Sequence, residues 1–125
     1  MVSGCRAKIP AVLIVDDEPL VRLCAVETVE GAGFEVIEAA NADEAIRILE
    51  SRSDIRVVFT DLHMPGSMDG LKLAHAVRNR WPPIKIIVTS GRETVAEQDL
   101  PAGGRFVAKP YDPGEIKDVL RAWAF

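Results

Sequence analysis

The residues best suited to chemistry are charged or hydroxyl-bearing side chains that directly follow short apolar segments. Asp16 and Asp17 follow one such segment, Asp61 a second, Ser90 a third and Lys109 a fourth. Crowded carboxylates repel each other, which raises at least one pKa unless a cation relieves the repulsion. At about 4 Å and an effective dielectric constant of about 20, each like-charged pair costs on the order of 4 kcal/mol. Converging carboxylates therefore predict a cation site.

The types of these side chains also indicate which reaction such a site would support. Mg²⁺ suits one or two carboxylates together with a carbonyl and water. Lys109 adds a fixed positive charge, and Ser90 offers a hydroxyl that can donate to an anion. Phosphoryl transfer depends mainly on positioning and charge neutralisation, and carboxylates act as phosphoryl acceptors. The residue types predict phosphoryl transfer to one of the carboxylates.

Five short apolar segments predict the strands that would position these residues. They are rich in Val, Ile and Phe and too short for buried helices. The first, third and fourth are apolar almost without alternation, which is typical of parallel strands covered on both faces. The predicted strands are 11–15, 34–38, 56–60, 85–89 and 105–108.

Helical patterns lie between and after these strands. The first has a proline in its first turn, and the others begin at Asn41, Asp69 and Asp112, residue types that cap helices. The predicted helices are 18–31, 42–51, from Asp69 to about Arg80, and from Asp112 onward; 92–103 allows only a short helix before Pro101 and two glycines break it. Five βα units in one domain predict a doubly wound α/β fold with helices on both faces of a parallel sheet.

In such a sheet, ligands bind beyond the carboxyl ends of the strands, where the strand order reverses. With the common order 2-1-3-4-5, the first and third strands flank that point. Asp16, Asp17 and Asp61 would then converge. The second strand ends in Glu38-Ala39-Ala40, a sequence that suggests no chemistry.

Four motifs stand in order at the ends of four predicted strands: VDDE, TDLHMPGSMDG, VTSG and KP. With these motifs the sequence resembles a response-regulator receiver domain of two-component signalling, the CheY-like family, over essentially the whole chain. The resemblance implies a receiver domain at 10–125 after a flexible lead-in at 1–9. It also implies a five-stranded flavodoxin-like sheet in the order 2-1-3-4-5.

The resemblance implies a role for each acidic residue. Asp61 would be the phosphoacceptor. Mg²⁺ would be held by Asp17, Asp61 and the backbone carbonyl of His63, and Asp16 would act on the metal through water.

The resemblance also implies that Ser90 and Lys109 contact the phosphoryl group and that Phe106 is an aromatic switch residue. Phe106 is equally compatible with a plain core position. Thr89 is a rival to Ser90, because alternation along the strand directs only one of them toward the site. The family pattern of a hydroxyl followed by a small residue favours Ser90.

Two departures from the family pattern stand out. The loop MPGSMDG has one residue more than the common MPxMDG, and the stretch from Ser90 to Lys109 is a few residues short. The second departure affects the fourth helix, which such domains commonly use for output or dimerisation, so a homodimer stays an open possibility. The Lys109-Pro110 bond is a candidate cis peptide, which the family favours.

Composition argues against several other classes of protein. A chain of 125 residues suits one compact domain, and a net charge of −4 disfavours nucleic-acid binding. Cys5 and Cys24 form no disulfide framework and lack metal-ligand spacing. No apolar run approaches the roughly 20 residues that span a bilayer, and the start is too short and polar for a signal peptide. We expect a cytoplasmic protein that binds neither membranes nor nucleic acid.

The expected function is a phosphorylation-activated switch. A sensor histidine kinase or a phosphotransfer protein would phosphorylate Asp61, and the changed 90–109 face would regulate a downstream protein. Such a protein catalyses only its own phosphoryl transfer and dephosphorylation.

Three alternatives stay open at this point. The chain could be an interaction module that works without phosphorylation. It could be a Mg²⁺-dependent aspartyl phosphatase, in which His63 stands where that class has an acidic residue. An FMN binder is disfavoured, because DDEP follows the first strand and its negative charge opposes a phosphate.

Overall fold

The computed structural model describes residues 9–66, 68–91 and 94–123 of the chain. Its strands and α-helices, in chain order, are β1 (Ala11–Val15), α1 (Pro19–Gly31), β2 (Glu35–Ala39), α2 (Ala42–Ser51), β3 (Ile55–Asp61), α3 (Gly70–Arg80), β4 (Lys85–Ser90), β5 (Gly104–Ala108) and α4 (Pro113–Ala122). The five strands and four of the helices lie where the sequence predicts them. The predicted lead-in falls almost entirely outside the described residues.

The strands form one parallel sheet in the order β2-β1-β3-β4-β5, which confirms the predicted topology. Helices α2 and α3 cover one face, and α1 and α4 cover the other. Within β1, Leu13 and Val15 pack toward the first face, whereas Val12 and Ile14 pack toward the second. Because each central strand is buried on both sides, its sequence is apolar without alternation.

The caps predicted from sequence are present. Asn41 accepts a hydrogen bond from the Glu44 N–H at 2.9 Å, and Asp69 accepts one from the Lys72 N–H at 2.9 Å. Asp112 accepts one from the Gly114 N–H at 3.1 Å. These bonds satisfy amide groups that have no partner inside the helix, which fixes where α2, α3 and α4 begin.

The expectation of five βα units is wrong in one respect. Between β4 and β5, the described residues contain only a short 3₁₀ turn, Glu97–Asp99, in place of a fourth α-helix. The turn is followed by Pro101 and by Gly103, whose φ is 82°. Pro101 cannot continue a helix, and the positive φ at Gly103 turns the chain into β5.

Within the described ranges, no helix is both long and apolar enough to cross a membrane.

Candidate functional site

The acidic residues meet at the carboxyl edge of the two central strands. Val15 of β1 pairs with Thr60 of β3, so the next residues, Asp16 and Asp61, emerge side by side. One carboxylate oxygen from each of Asp16, Asp17 and Asp61 lies within 4.8 Å of the others. Asp16 and Asp61 are buried, whereas Asp17 is more exposed. The convergence predicted from strand order is therefore present.

Lys109 joins this cluster from the edge strand β5. Its Nζ lies 3.2 Å from Oδ1 of Asp61 and 3.7 Å from Oδ2 of Asp16. The backbone N–H of Lys109 donates to the carbonyl of Ser90 at 3.0 Å, which holds the lysine beside the end of β4. The Lys109-Pro110 peptide is cis, as the family pattern favours.

The two hydroxyl residues at the end of β4 have different surroundings. Ser90 lines an open pocket of about 680 Å³ together with Asp61 and Lys109, whereas Thr89 does not line it. Thr89 Oγ1 is buried and has no hydrogen-bond partner in the described structure. Alternation along the strand thus directs Ser90 into the pocket, as the family pattern favours.

The same pocket receives residues from the loop after β3. His63 is exposed and lines the pocket beside Asp17 and Asp61. The loop turns at Gly66, which has a φ of 111°, a conformation that glycine adopts without steric cost. Ser67, which belongs to the same loop, lies outside the described residues.

Opposing influences act on the pKa of the Asp16 carboxyl. Burial raises the pKa of its carboxyl, and the neighbouring charges of Asp61 and Asp17 raise it further. A hydrogen bond from the Glu18 N–H to Asp16 Oδ1, at 2.9 Å, and the ammonium of Lys109 oppose this shift. The net effect is a raised pKa, and burial is its largest cause.

The donor set fits a hard divalent cation. The cluster offers carboxylate oxygens from three residues, and the carbonyl groups of the adjoining loop are of the same hard type. Mg²⁺ prefers oxygen ligands and commonly uses one or two carboxylates with water, whereas softer metals prefer sulfur or imidazole. The side chains that converge here match Mg²⁺ chemistry.

Phe106 lies apart from the pocket. It is partly buried and packs against the apolar cluster beneath α2 and α3. This position is compatible with Phe106 as an ordinary core residue and with Phe106 as an aromatic switch residue.

Three residues that the sequence pattern does not single out support the site. Gly70, the first residue of α3, packs against the backbone of Asp61, and a Cβ at this position would overlap the Asp61 carbonyl oxygen. Its N–H also donates to the Leu62 carbonyl at 2.8 Å. A glycine directly after the capping Asp69 is the only sequence signal of this close approach.

The other two supporting residues are Arg22 and Glu38. Arg22 Nη1 donates to the backbone carbonyl of Asp16 at 2.8 Å, and its Nε donates to Glu38 Oε1 at 2.9 Å. Glu38 belongs to the strand end that suggested no chemistry. Their link to the acidic residues depends on the pairing of β1 with β2, so the sequence pattern does not reveal it.

Comparison with known proteins agrees with this geometry. A family model described as the response regulator receiver domain matches residues 12–121. The chain is 38% identical over 114 residues to the sensor kinase CckA of Brucella abortus (strain 2308), covering 88% of this chain and 12% of that protein. It is 34% identical over 116 residues to the transcriptional regulatory protein ResD of Bacillus subtilis (strain 168), covering 90% and 46%.

A solved structure that contains Mg²⁺ is also similar to this chain. The response regulator TrrA of Thermotoga maritima, in complex with Mg²⁺-BeF, has 27% sequence identity and a TM-score of 0.78, covering 91% of this chain and 98% of that one. The chain spans less than half the length of the curated relatives named above. It belongs to the response regulator receiver domain family, whose members act as phosphorylation-dependent signalling switches.

Proposed function

We propose that Asp61 accepts a phosphoryl group from the phosphohistidine of a histidine kinase or a phosphotransfer protein. The observation that carries this proposal is the surroundings of the Asp61 carboxylate. It lies in a pocket with Asp17 and Ser90, and the ammonium of Lys109 is 3.2 Å away. A carboxylate nucleophile, acidic metal ligands, a hydroxyl donor and a fixed cation are groups that suit phosphoryl transfer to an aspartate.

The transfer exchanges one bond to phosphorus for another. A carboxylate oxygen of Asp61 forms a bond to phosphorus while the bond from phosphorus to the imidazole nitrogen breaks. The electron pair of the broken bond stays on the imidazole, which takes up a proton from solvent. The product is an acyl phosphate on Asp61 and a free histidine on the donor.

The acidic cluster would hold the metal that this reaction uses. We assign Asp17, Asp61 and the backbone carbonyl of His63 as Mg²⁺ ligands, and Asp16 as a residue that acts through water. Mg²⁺, when bound, neutralises the charge that develops on the transferring phosphoryl group. Asp16 supports the cluster by accepting the Glu18 N–H, which orients its carboxyl.

The phosphoryl group would act as a switch through the residues at the ends of β4 and β5. It adds a charge of roughly −1.5 to −2, which attracts the ammonium of Lys109 and the hydroxyl of Ser90. Movement of these residues would let Phe106 turn inward and change the 90–109 face. Shifting a state from about 1% to about 99% populated needs about 5.5 kcal/mol, a magnitude that contacts with a metal, an ammonium and a hydroxyl together can supply.

The relatives indicate what kinds of output can accompany a receiver domain. A kinase and a transcriptional regulator both carry a stretch similar to this chain, so receiver domains work beside different outputs. We propose a partner protein as the target of the 90–109 face. We propose that the chain itself does not turn over a separate substrate.

The test is the intact mass of the protein after incubation with acetyl phosphate and Mg²⁺. We expect one phosphoryl adduct on the natural sequence, none on Asp61→Asn and none after metal chelation. Asp69→Asn is the matched control, because Asp69 also lines the pocket but caps α3. It should be labelled normally, and full labelling of Asp61→Asn would overturn the assignment.

The same samples separate the alternatives. Turnover of a generic phosphomonoester would support a phosphatase, and a yellow purified protein would support FMN binding. If no adduct forms even at short times after acid quenching, beryllofluoride binding distinguishes two cases. Binding would indicate rapid hydrolysis of the acyl phosphate, and no binding would favour an interaction module that works without phosphorylation.

A further inference from the structure

We propose that Arg22 is a positioning residue for the metal site, and that Glu38 orients it. This inference rests on the proposed function, because it concerns the Mg²⁺ that Asp61 would use. Arg22 lies in the first turns of α1 and Glu38 in β2, and neither belongs to the acidic cluster. The pair would hold the Asp16-Asp17 peptide in the orientation that metal binding requires.

The contacts of Arg22 connect three parts of the fold. Its Nη1 donates to the Asp16 carbonyl at 2.8 Å, beyond the end of β1, and its Nε donates to Glu38 Oε1 at 2.9 Å, in β2. The Arg22 side chain is only 20% exposed, whereas that of Glu38 is 50% exposed. A mostly buried guanidinium bound at two sites has little freedom to move, so it can act as a fixed support.

Arg22 completes a set of bonds that fixes the backbone of Asp16. The Asp16 N–H donates to the carbonyl of Ala39 at 3.1 Å, and Asp16 Oδ1 accepts the Glu18 N–H at 2.9 Å. The Asp16 carbonyl lies past Val15, the last residue of β1. It accepts its hydrogen bond from the Arg22 side chain. Without this donor, the peptide between Asp16 and Asp17 would lose its restraint on one side.

The orientation of this peptide matters because it carries the next acidic residue. The carbonyl of Asp16 and the N–H of Asp17 belong to one planar unit, so a bond that fixes the carbonyl also fixes the position from which Asp17 extends. Mg²⁺ demands near-ideal octahedral geometry and tolerates displaced ligands poorly. Residues that orient ligands from outside the metal's own contacts typically contribute 10–100-fold to metal affinity.

The charge of Arg22 alone predicts the opposite effect. A guanidinium near the acidic cluster repels a divalent cation, so removal of the charge by itself would tighten Mg²⁺ binding. The ion pair with Glu38 offsets part of this repulsion. The sign of the change in Mg²⁺ affinity therefore separates positioning from charge.

The experiment is titration of the metal-free protein with Mg²⁺ in a calorimeter. We expect Arg22→Lys to weaken Mg²⁺ binding about 10-fold. Arg22→Gln should weaken it less, because loss of the repelling charge offsets part of the effect. The lysine variant keeps the charge but has a single ammonium in place of the two separated donors. Glu38→Gln should weaken binding less, because Arg22 keeps its bond to the Asp16 carbonyl.

Arg52→Gln is the matched control. Arg52 also bridges acidic residues, with Asp54 at 2.6 Å and Glu35 at 3.5 Å. It lies between α2 and the amino end of β3, whereas the acidic cluster lies at the carboxyl ends of the strands. Its substitution should leave Mg²⁺ binding unchanged. Unchanged or tighter binding in both Arg22 variants would overturn the inference.

A second measurement keeps the inference separate from the proposed function. In metal-free protein, amide hydrogen exchange at Asp17 and Glu18 should be faster in Arg22→Lys than in the natural sequence. Unaltered exchange there would contradict the positioning role even if no metal binds. At saturating Mg²⁺, the Arg22 variants should still be labelled at Asp61. If the natural sequence is not labelled at Asp61, that result contradicts the proposed function but not the positioning role of Arg22.

Discussion

Nζ of Lys109 lies 3.2 Å from Oδ1 of Asp61, although the two residues are 48 positions apart in the sequence. They meet because β3 and β5 both flank β4 and all three strands point the same way. The ammonium therefore faces the Asp61 carboxylate directly. A phosphoryl group on Asp61 would present its oxygens to the same ammonium.

Replacement of Lys109 by alanine should separate phosphorylation from its consequence. The Asp61 carboxylate keeps its pocket, so labelling by acetyl phosphate should persist, but the phosphoryl group loses the cation that draws β5 inward. We expect hydrogen exchange in 94–104 to change less upon phosphorylation than in the natural sequence. Loss of a repelling cation should also tighten Mg²⁺ binding severalfold. A full conformational response in this variant would exclude a switching role for Lys109.

Removal of the Ser90 hydroxyl should weaken the response to phosphorylation, whereas removal of the adjacent Thr89 hydroxyl should not. Thr89→Val replaces a buried hydroxyl that has no partner among the described residues with a methyl group of similar shape. Stability should therefore be unchanged or higher, and labelling should be normal. Ser90→Ala removes a hydroxyl that lines the pocket, so the phosphorylation-dependent change in hydrogen exchange should weaken. Denaturant unfolding and exchange on both variants provide the measurement. The reverse pattern would assign the switch hydroxyl to Thr89.

Gly70→Ala should disturb Asp61 through the backbone. A methyl group at this position would overlap the Asp61 carbonyl oxygen, which also accepts a hydrogen bond from the Thr60 hydroxyl at 3.0 Å. Either α3 or the end of β3 must shift, and we expect a loss of about 1–3 kcal/mol in the free energy of unfolding together with slower labelling. Gly31→Ala is the control, because no described atom beyond the adjoining residues and the helix backbone lies within 4 Å of a Cβ there. Equal stability of the two variants would show that α3 accommodates the methyl without cost.

The raised pKa of Asp16 predicts that its ionised carboxyl destabilises the folded metal-free protein. The folded protein holds the proton of this carboxyl more tightly than the unfolded chain, because burial disfavours the charged form. The metal-free protein should therefore gain stability from this group as pH falls through its raised pKa, and lose that contribution at higher pH. Asp16→Asn should raise the thermal midpoint of the metal-free protein at neutral pH and weaken Mg²⁺ binding.

The control for this prediction is Asp17→Asn. Asp17 is more exposed, so its charge loses less hydration in the fold, and its replacement should stabilise the metal-free protein less. Thermal unfolding in the presence of a chelator measures both variants. A lower midpoint for Asp16→Asn than for the natural sequence would show that the bond from the Glu18 N–H outweighs the cost of burial.

The sequence by itself determined the elements and the order in which they follow one another. Unbroken apolar segments predicted the buried strands, because a strand covered on both faces has no solvent side to keep polar. Asn41, Asp69 and Asp112 marked the helix starts, because their side chains satisfy amide groups close to them in sequence. Such signals are local, so they can be read along the chain.

Only the tertiary structure decided which further residues support the predicted acidic cluster. The bond from Arg22 to the Asp16 carbonyl, with Glu38 behind it, requires α1, β1 and β2 to be in place together. The approach of Gly70 to the Asp61 carbonyl likewise depends on how α3 docks against the end of β3. These features arise from contacts between segments distant in sequence, and neither periodicity nor capping patterns report such contacts.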